Sequence, residues 1–229
     1  MPEHDSPEDG AEGLNRGAEA QYRDADAQDH RTDIPPLVTL GHPLLARPSA
    51  PVALSHLGSD AFQNRLRTLH DAMVAYRGIG IAAPQLGWFE RFFLMGIVHE
   101  REGEEPELEL QAWINPEIVQ SSREQGWAWE GCLSVPGLRG WIRRPLAVAV
   151  TGYSPRGERL SREYTGWPAR VFQHEFDHLD GVLFPYRVAD PRHLVTMEQL
   201  AQREDWPDDW PAKGAARAPF GEVTPDADL

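Results

Sequence analysis

The stretch Gly166-Trp167-Pro168-Ala169-Arg170-Val171-Phe172-Gln173-His174-Glu175-Phe176-Asp177-His178-Leu179-Asp180-Gly181 decides how this chain is read. Pro168 suits the first position of a helix that starts near Trp167, and Gly181 suits its left-handed stop. Within it, His174-Glu175-Phe176-Asp177-His178 is an HExxH motif. On a helix the two histidines stand one turn apart on one face, so both imidazoles reach a single metal ion. Glu175, next to the first of them, is offset to take a proton from a water at that ion. Val171 and Phe172 precede the motif and Leu179 follows it, so the helix is expected to pack against a core.

Two histidines do not complete a catalytic metal site, which commonly has three protein ligands and an open position. A metzincin places a third histidine three residues past Gly181, where this chain has Phe184, so that class is excluded. Two candidates stay open. One is Glu198, 20 residues after His178, in the manner of a thermolysin-like peptidase. The other is Cys132, the single cysteine, whose thiolate suits soft and borderline divalent metals. A lone cysteine is otherwise a small buried hydrophobe.

Working outward, Ser59–Tyr76 carries Phe62, Leu66, Leu69, Met73 and Tyr76 on one helical face, with Gly78 as the stop. Arg91–Val98 and Ala112–Val119 read as strands separated by an acidic loop, GEEPELE. Leu146–Tyr153 and Glu158–Tyr164 read as a hairpin around Ser154-Pro155-Arg156-Gly157. The expected fold class is α+β, a single domain (residues 34–200) of antiparallel strands packed around a central HExxH-bearing helix.

The ends differ from this domain. Residues 1–33 carry ten acids against three arginines and few large apolar side chains, so the segment is expected to be disordered. Residues 201–229 have a similar acidic character and are expected to be largely disordered, with Trp206 and Trp210 able to dock. Of the net charge of −14, residues 34–199 contribute only about −3, which leaves no basic footprint for nucleic acid or an anionic membrane. No run of about 18 apolar residues is present to span a bilayer. The acidic N-terminus resembles neither a secretory signal nor a transit peptide. One cysteine cannot form an internal disulfide, and the expected compartment is a reducing bacterial cytoplasm, ahead of an organelle. A monomer is the default.

Three segments together resemble the motifs of the peptide deformylase family: Gly78-Ile79-Gly80-Ile81-Ala82-Ala83-Pro84-Gln85, Glu130-Gly131-Cys132-Leu133-Ser134 and Gln173-His174-Glu175-Phe176-Asp177-His178. Their order and approximate separations match, Gly41-His42-Pro43 adds a weaker fourth, and the likeness spans about residues 36–190. Gly166–Arg170 resembles the form found in organellar-type relatives, a form that bacteria also carry. The first segment also satisfies the dinucleotide pattern G-x-G-x-x-A, but that pattern needs a strand before it and a helix after it. Here a helix precedes, and Pro84 with Gly87 spoils a helix on the other side.

The resemblance implies hydrolysis of the formyl group from the N-terminal formylmethionine of new polypeptides. It implies that Cys132, His174 and His178 bind one divalent metal, Fe²⁺ by family likeness, with Zn²⁺, Ni²⁺ or Co²⁺ compatible with one sulfur and two nitrogens. Gln85 and the Leu133 backbone N–H are implied to stabilise the oxyanion, and Glu175 to shuttle the proton. Direct attack by Cys132 with His174 as base is the competing mechanism; HExxH would then be redundant. Ile79, Ala128, Trp167 and the aliphatic part of Arg170 are placed to shape a methionine pocket. Backbone groups of Gly80 and Gly131 are placed to pair with the substrate, Glu130 and Arg139 to hold it, and Arg144 with Asp177 to brace the metal-binding helix. Bacterial members of the family associate with ribosomes; the acidic C-terminal segment here is unlike a basic ribosome-contacting helix. A catalytically inactive binder of nascent N-termini is the alternative outside enzymes.

Overall fold

The structure, a computed structural model, describes residues 34–99, 103 and 105–226, so the expectation for residues 1–33 lies outside the described residues. Two antiparallel sheets form the domain. The first has five strands in the order β1 (Gly80–Ala82), β2 (Phe92–His99), β3 (Glu107–Ser121), β6 (Ala147–Tyr153), β7 (Arg159–Thr165). The second has four, in the order β8 (Leu194–Thr196), β5 (Val135–Pro145), β4 (Gln125–Cys132), β9 (Thr224–Pro225). The helices are α1 (Asp60–Ala75), α2 (Gly166–Leu179) and the short α3 (Met197–Leu200). Among the described residues no helix is long and apolar enough to cross a membrane.

Helix α1 begins where the Ser59 hydroxyl caps the Phe62 N–H, and its stripe of Phe62, Leu66, Leu69 and Met73 is buried against Phe92, Leu94 and Ile114 of the first sheet. Its stop differs from the expectation. Arg77, not Gly78, takes the left-handed position (φ 57°), and Gly78 N–H donates to Met73 C=O at 2.8 Å. Gly78 is small for another reason. A Cβ there would lie 2.9 Å from both the Gly80 carbonyl oxygen and Leu133 Cδ1.

Helix α2 is wedged against both sheets. Its Ala169, Val171, Phe172 and Leu179 pack on Phe93, Met95, Trp113 and Tyr164 of the first sheet. The Phe172 ring meets Phe93 and Trp113 edge-on at 5.2 and 5.3 Å. Toward the second sheet it presents polar groups instead. Gln173 Nε2 donates to Pro145 C=O, and Arg170 donates to Ile142 C=O and Gly126 C=O. Pro168 is the third residue of the helix rather than the first, still within the turn whose N–H groups have no intrahelical partner. The far end closes with a Schellman pair, Val182 N–H to Asp177 C=O and Gly181 N–H to His178 C=O, with Gly181 at φ 73°.

Three sequence expectations are corrected. The acidic GEEPELE stretch is not all loop, because Glu107, Leu108 and Glu109 already pair with His99, Val98 and Ile97. The two central strands β4 and β5 have no counterpart among the expected elements. The segment after residue 200 is packed rather than disordered through residue 226. Ala215 and Ala218 are buried against Trp129 and Trp141, and Trp206 leans on Trp129 at 6.3 Å. Trp129 Nε1 donates to Ala215 C=O at 2.9 Å, and β9 extends the sheet beside β4 through Gly126↔Pro225 and Trp127↔Thr224. Small residues are what a face studded with tryptophans accommodates, so low hydropathy here does not mean disorder.

Ending the chain at Leu200 should therefore uncover the tryptophan face and hand the Trp129 N–H to water. The lost hydrogen bond alone is worth about 0.5–1.5 kcal/mol net. With the lost apolar contacts, a loss of about 3 kcal/mol or more is expected, a fall of about 6–12 °C in a chain of this size. Thermal unfolding of the shortened chain checks it, and an unchanged midpoint would contradict the packing described.

Candidate metal centre

Cys132 ends β4, while His174 and His178 stand on the α2 face turned to that strand. Their ligand atoms all lie within 4.8 Å of one another. Cys132 Sγ is 3.2 Å from His178 Nε2, and the two imidazoles meet edge-on at 5.2 Å. A thiolate and two imidazoles on rigid elements are a donor set for borderline divalent metals. Among the described residues this is the group of three that fits a metal ion. Glu198 takes no part in it. It is exposed on α3, so the thermolysin-like reading is overturned.

The protonation of the pair is asymmetric. Burial, with the charges of His174 and Arg144, holds His178 well below the ordinary imidazole value, in the neutral form a metal ligand requires. Burial pulls His174 down as well, but Cys132 and Glu130 outweigh it and hold that imidazole well above the ordinary value. The site thus favours positive charge between Cys132 and Glu130. Burial pushes the Glu175 carboxyl up to about 7, against the pull of His174. Glu175 Oε2 is buried with no hydrogen-bond partner among the described residues, and a Cβ on Gly80 would fall 2.4 Å from its Oε1. Glycine at position 80 is what allows β1 to pass this carboxylate.

Gln85 is buried in the turn after β1, with its amide orientation fixed. Ala82 N–H donates to Gln85 Oε1 at 2.8 Å, so Oε1 faces Ala82 and the NH₂ must face the other way. There it lies 3.2 Å from Ser134 Oγ and 3.7 Å from Cys132 Sγ. Ser134, fully buried, donates its N–H toward Cys132 Sγ at 3.4 Å; the sequence gives it no role of its own, although it stands inside the second motif. Residues 38–49 tie the three motifs together. Val38 N–H donates to Gln85 C=O, Leu40 N–H to Ser134 C=O, and Ser49 N–H to Leu179 C=O.

Two residues expected near the substrate have their charged groups engaged within the protein. Glu130 is 3% exposed, and both its oxygens are engaged. Arg144 grips them through Nε at 2.6 Å and Nη2 at 2.9 Å, Arg170 Nη1 adds 2.6 Å, and His174 Nδ1 lies 3.0 Å away. Burial disfavours this charge, but Arg144, His174 and Arg170 hold the carboxyl well below the usual range. Glu130 therefore orients His174, in the way a carboxylate behind a metal ligand does. Arg170 is equally buried, with its guanidinium spent on Glu130 and two strand carbonyls, so its head group is scaffold. Arg144 also donates to Asp177 at 2.7 Å, and Arg187, which no sequence motif marks, pairs with the same carboxylate.

The remaining positions surround the cluster. Leu133 follows Cys132 in the β4–β5 turn and packs beneath α1. Ile79 and Trp167 are half-buried on the cluster around Phe172, and Ala128 is fully buried in β4. Gly131 sits at a register irregularity of β4, and a Cβ there would collide with the half-buried Arg139 guanidinium at 2.4 Å.

The polypeptide deformylase family model matches residues 34–193. Peptide deformylase 2 of Nostoc sp. is 39% identical over 168 residues, 73% of this chain and 93% of that protein. The Thermotoga neapolitana peptide deformylase is 39% identical over 160 residues, 70% of this chain and 90% of its own. In structure, a class I type b peptide deformylase from Acinetobacter baumannii superposes with a TM-score of 0.63 at 34% identity, covering 69% of this chain and all of that one. Motifs, fold and these relatives agree: the chain belongs to the polypeptide deformylase family.

Proposed function

We propose that this chain removes the formyl group from N-terminal formylmethionine by metal-assisted hydrolysis at Cys132, His174 and His178. Deformylation of new polypeptides is the activity of its family, and the observation that carries the assignment to these residues is the convergence of the three ligand atoms within 4.8 Å beside a buried Glu175. The donor set suits Fe²⁺, our assignment, and equally accepts Zn²⁺, Ni²⁺ or Co²⁺. Such an ion, when bound, supplies an acidified water and a positive charge facing the formyl oxygen.

The chain's own residues do the rest. Glu175, kept from solvent and lifted toward neutrality, takes the proton that the attacking water gives up. As oxygen bonds to the formyl carbon, negative charge gathers on the formyl oxygen. The Gln85 NH₂, aimed by the Ala82 N–H, and the Leu133 backbone N–H donate to it. When the C–N bond breaks, Glu175 returns its proton to the departing amine, leaving formate and a free N-terminal methionine. Cys132 serves as ligand rather than nucleophile, since Glu175 already supplies the base.

Strand β1 lies at the edge of its sheet, where a peptide can add as a further strand along Gly80, with Gly131 on the opposite wall. Ile79 and Trp167 shape the methionine pocket and Arg139 flanks it. A 35% identical relative from Acinetobacter baumannii is known with Met-Ala-Ser bound, and the corresponding substrate here is a formyl-methionyl nascent chain. A bacterial cytoplasm, where a ligand thiol stays reduced, is the compartment we propose. Residues 201–226 carry six acids against three bases, a balance that does not favour a lasting ribosome contact.

Release of formate from formyl-Met-Ala-Ser by Fe²⁺-loaded protein tests the assignment. Cys132→Ala should lose metal and activity together, and Glu198→Ala should lose neither; full metal content in Cys132→Ala would refute the ligand set. Glu175→Gln should keep its metal and lose about 10²- to 10⁴-fold in turnover, the usual worth of a positioned general base. Near-normal turnover in that variant would remove Glu175 from the proton path. Gln85→Leu should lower kcat about 10²- to 10³-fold with KM little changed, because an oxyanion donor acts mainly in the transition state. A change confined to KM would make Gln85 a substrate-binding group only.

A further inference from the structure

Residues 194–226 lie beyond the stretch that matches the family, yet their described part is in contact with the strand that carries Glu130 and Cys132. Three contacts are specific. Val223 packs on Gly126 so closely that a Cβ there would fall 2.5 Å from Val223 Cγ1. Gly126 C=O in turn accepts from Arg170 Nη2 at 2.7 Å, Arg170 Nη1 donates to Glu130 at 2.6 Å, and Glu130 reaches His174 Nδ1 at 3.0 Å. Ala215 C=O holds the indole N–H of Trp129, the residue before Glu130. Asp226 accepts from Arg143 Nε at 2.9 Å, and Arg143 precedes Arg144, which grips Glu130 from β5.

We infer that the segment 201–226 is a positioning element for the metal centre, fixing β4 and β5 so that Glu130 holds His174 in its ligating orientation. The inference rests on the metal-centre reading above. A mere cover for the tryptophans would need only apolar contact. This segment adds strand pairing and hydrogen bonds, which set position along the strand as well as burial. The Glu130–His174 bond is within ordinary hydrogen-bond range, so a slip of about an ångström in β4 breaks it. Outer partners of metal ligands are typically worth about 10- to 100-fold in metal affinity or activity. Val223, Ala215 and Asp226 thus act through Glu130, as positioning residues.

The test uses the full chain loaded with Co²⁺, whose thiolate absorption band reports the intact centre. Loss of that band to excess chelator is timed in wild type, in Trp129→Phe with Val223→Ala, and in Leu66→Ala, a core change under α1 that touches none of these contacts. The double variant should lose metal about tenfold faster or more. It should also show reduced kcat on formyl-Met-Ala-Ser with KM nearly unchanged. Leu66→Ala should release metal at the wild-type rate despite a melting point at least as low. Asp226→Asn, a surface change that spares the core, should accelerate release in the same direction by less. Wild-type release rates in the double variant and in Asp226→Asn would overturn the inference, as would equal acceleration in Leu66→Ala. A wild type that takes up no Co²⁺ would bring down the metal-centre reading and this inference together.

Discussion

A single buried carboxylate organises this molecule. Glu130 takes its place between the second sheet and helix α2 with its charge intact, because two arginines and a histidine converge on its two oxygens. Moving one such charge out of water costs several kcal/mol, and the cost is recovered only when geometry and hydrogen bonding are nearly complete. Here they are: Arg144 is bidentate, Arg170 adds a third donor, and His174 a fourth contact. Removing Glu130 would leave Arg170 charged and dry without a carboxylate, and Arg144 with Asp177 alone. The network is therefore better understood as a constraint on position than as a source of net stability. It forces β4, β5 and α2 into one arrangement, and that arrangement brings Cys132 to the two histidines.

The same logic explains the two unlike faces of α2. Toward the first sheet it offers Phe172, Val171 and Leu179, which are non-directional and tolerate small shifts. Toward the second sheet it offers Arg170, Gln173, His174, Asp177 and His178, which demand particular distances. Apolar packing holds the helix in the domain. Polar contacts set its rotation and height.

Local features are legible in the sequence, and features made by distant partners are not. The spacing of His174 and His178 is a property of one helix turn, and the stripe of α1 repeats along a single element. Cys132 joins them through motif order alone. Glu130 reads as a substrate contact because a carboxylate beside a motif cysteine looks available; the arginines that occupy it come from 14 and 40 residues further along the chain. Strands β4 and β5 escape notice because both of their faces are covered, one by α2 and one by the C-terminal segment, which erases the alternation that marks a half-exposed strand. The same mutual dependence hides the C-terminal segment, whose alanines become core only opposite Trp129 and Trp141.

The brevity of β1 has a consequence for which chains the enzyme can serve. An edge three residues long offers a visiting peptide only a few main-chain hydrogen bonds, and main-chain bonds are indifferent to side-chain identity. On the function proposed above, such a grip is weak and unselective along most of the visitor. Discrimination falls on the first residue and its blocked amine, where the buried groups are concentrated. A family that deformylates new polypeptides needs this division, with tolerance for whatever sequence trails behind and swift departure once the first bond is cut.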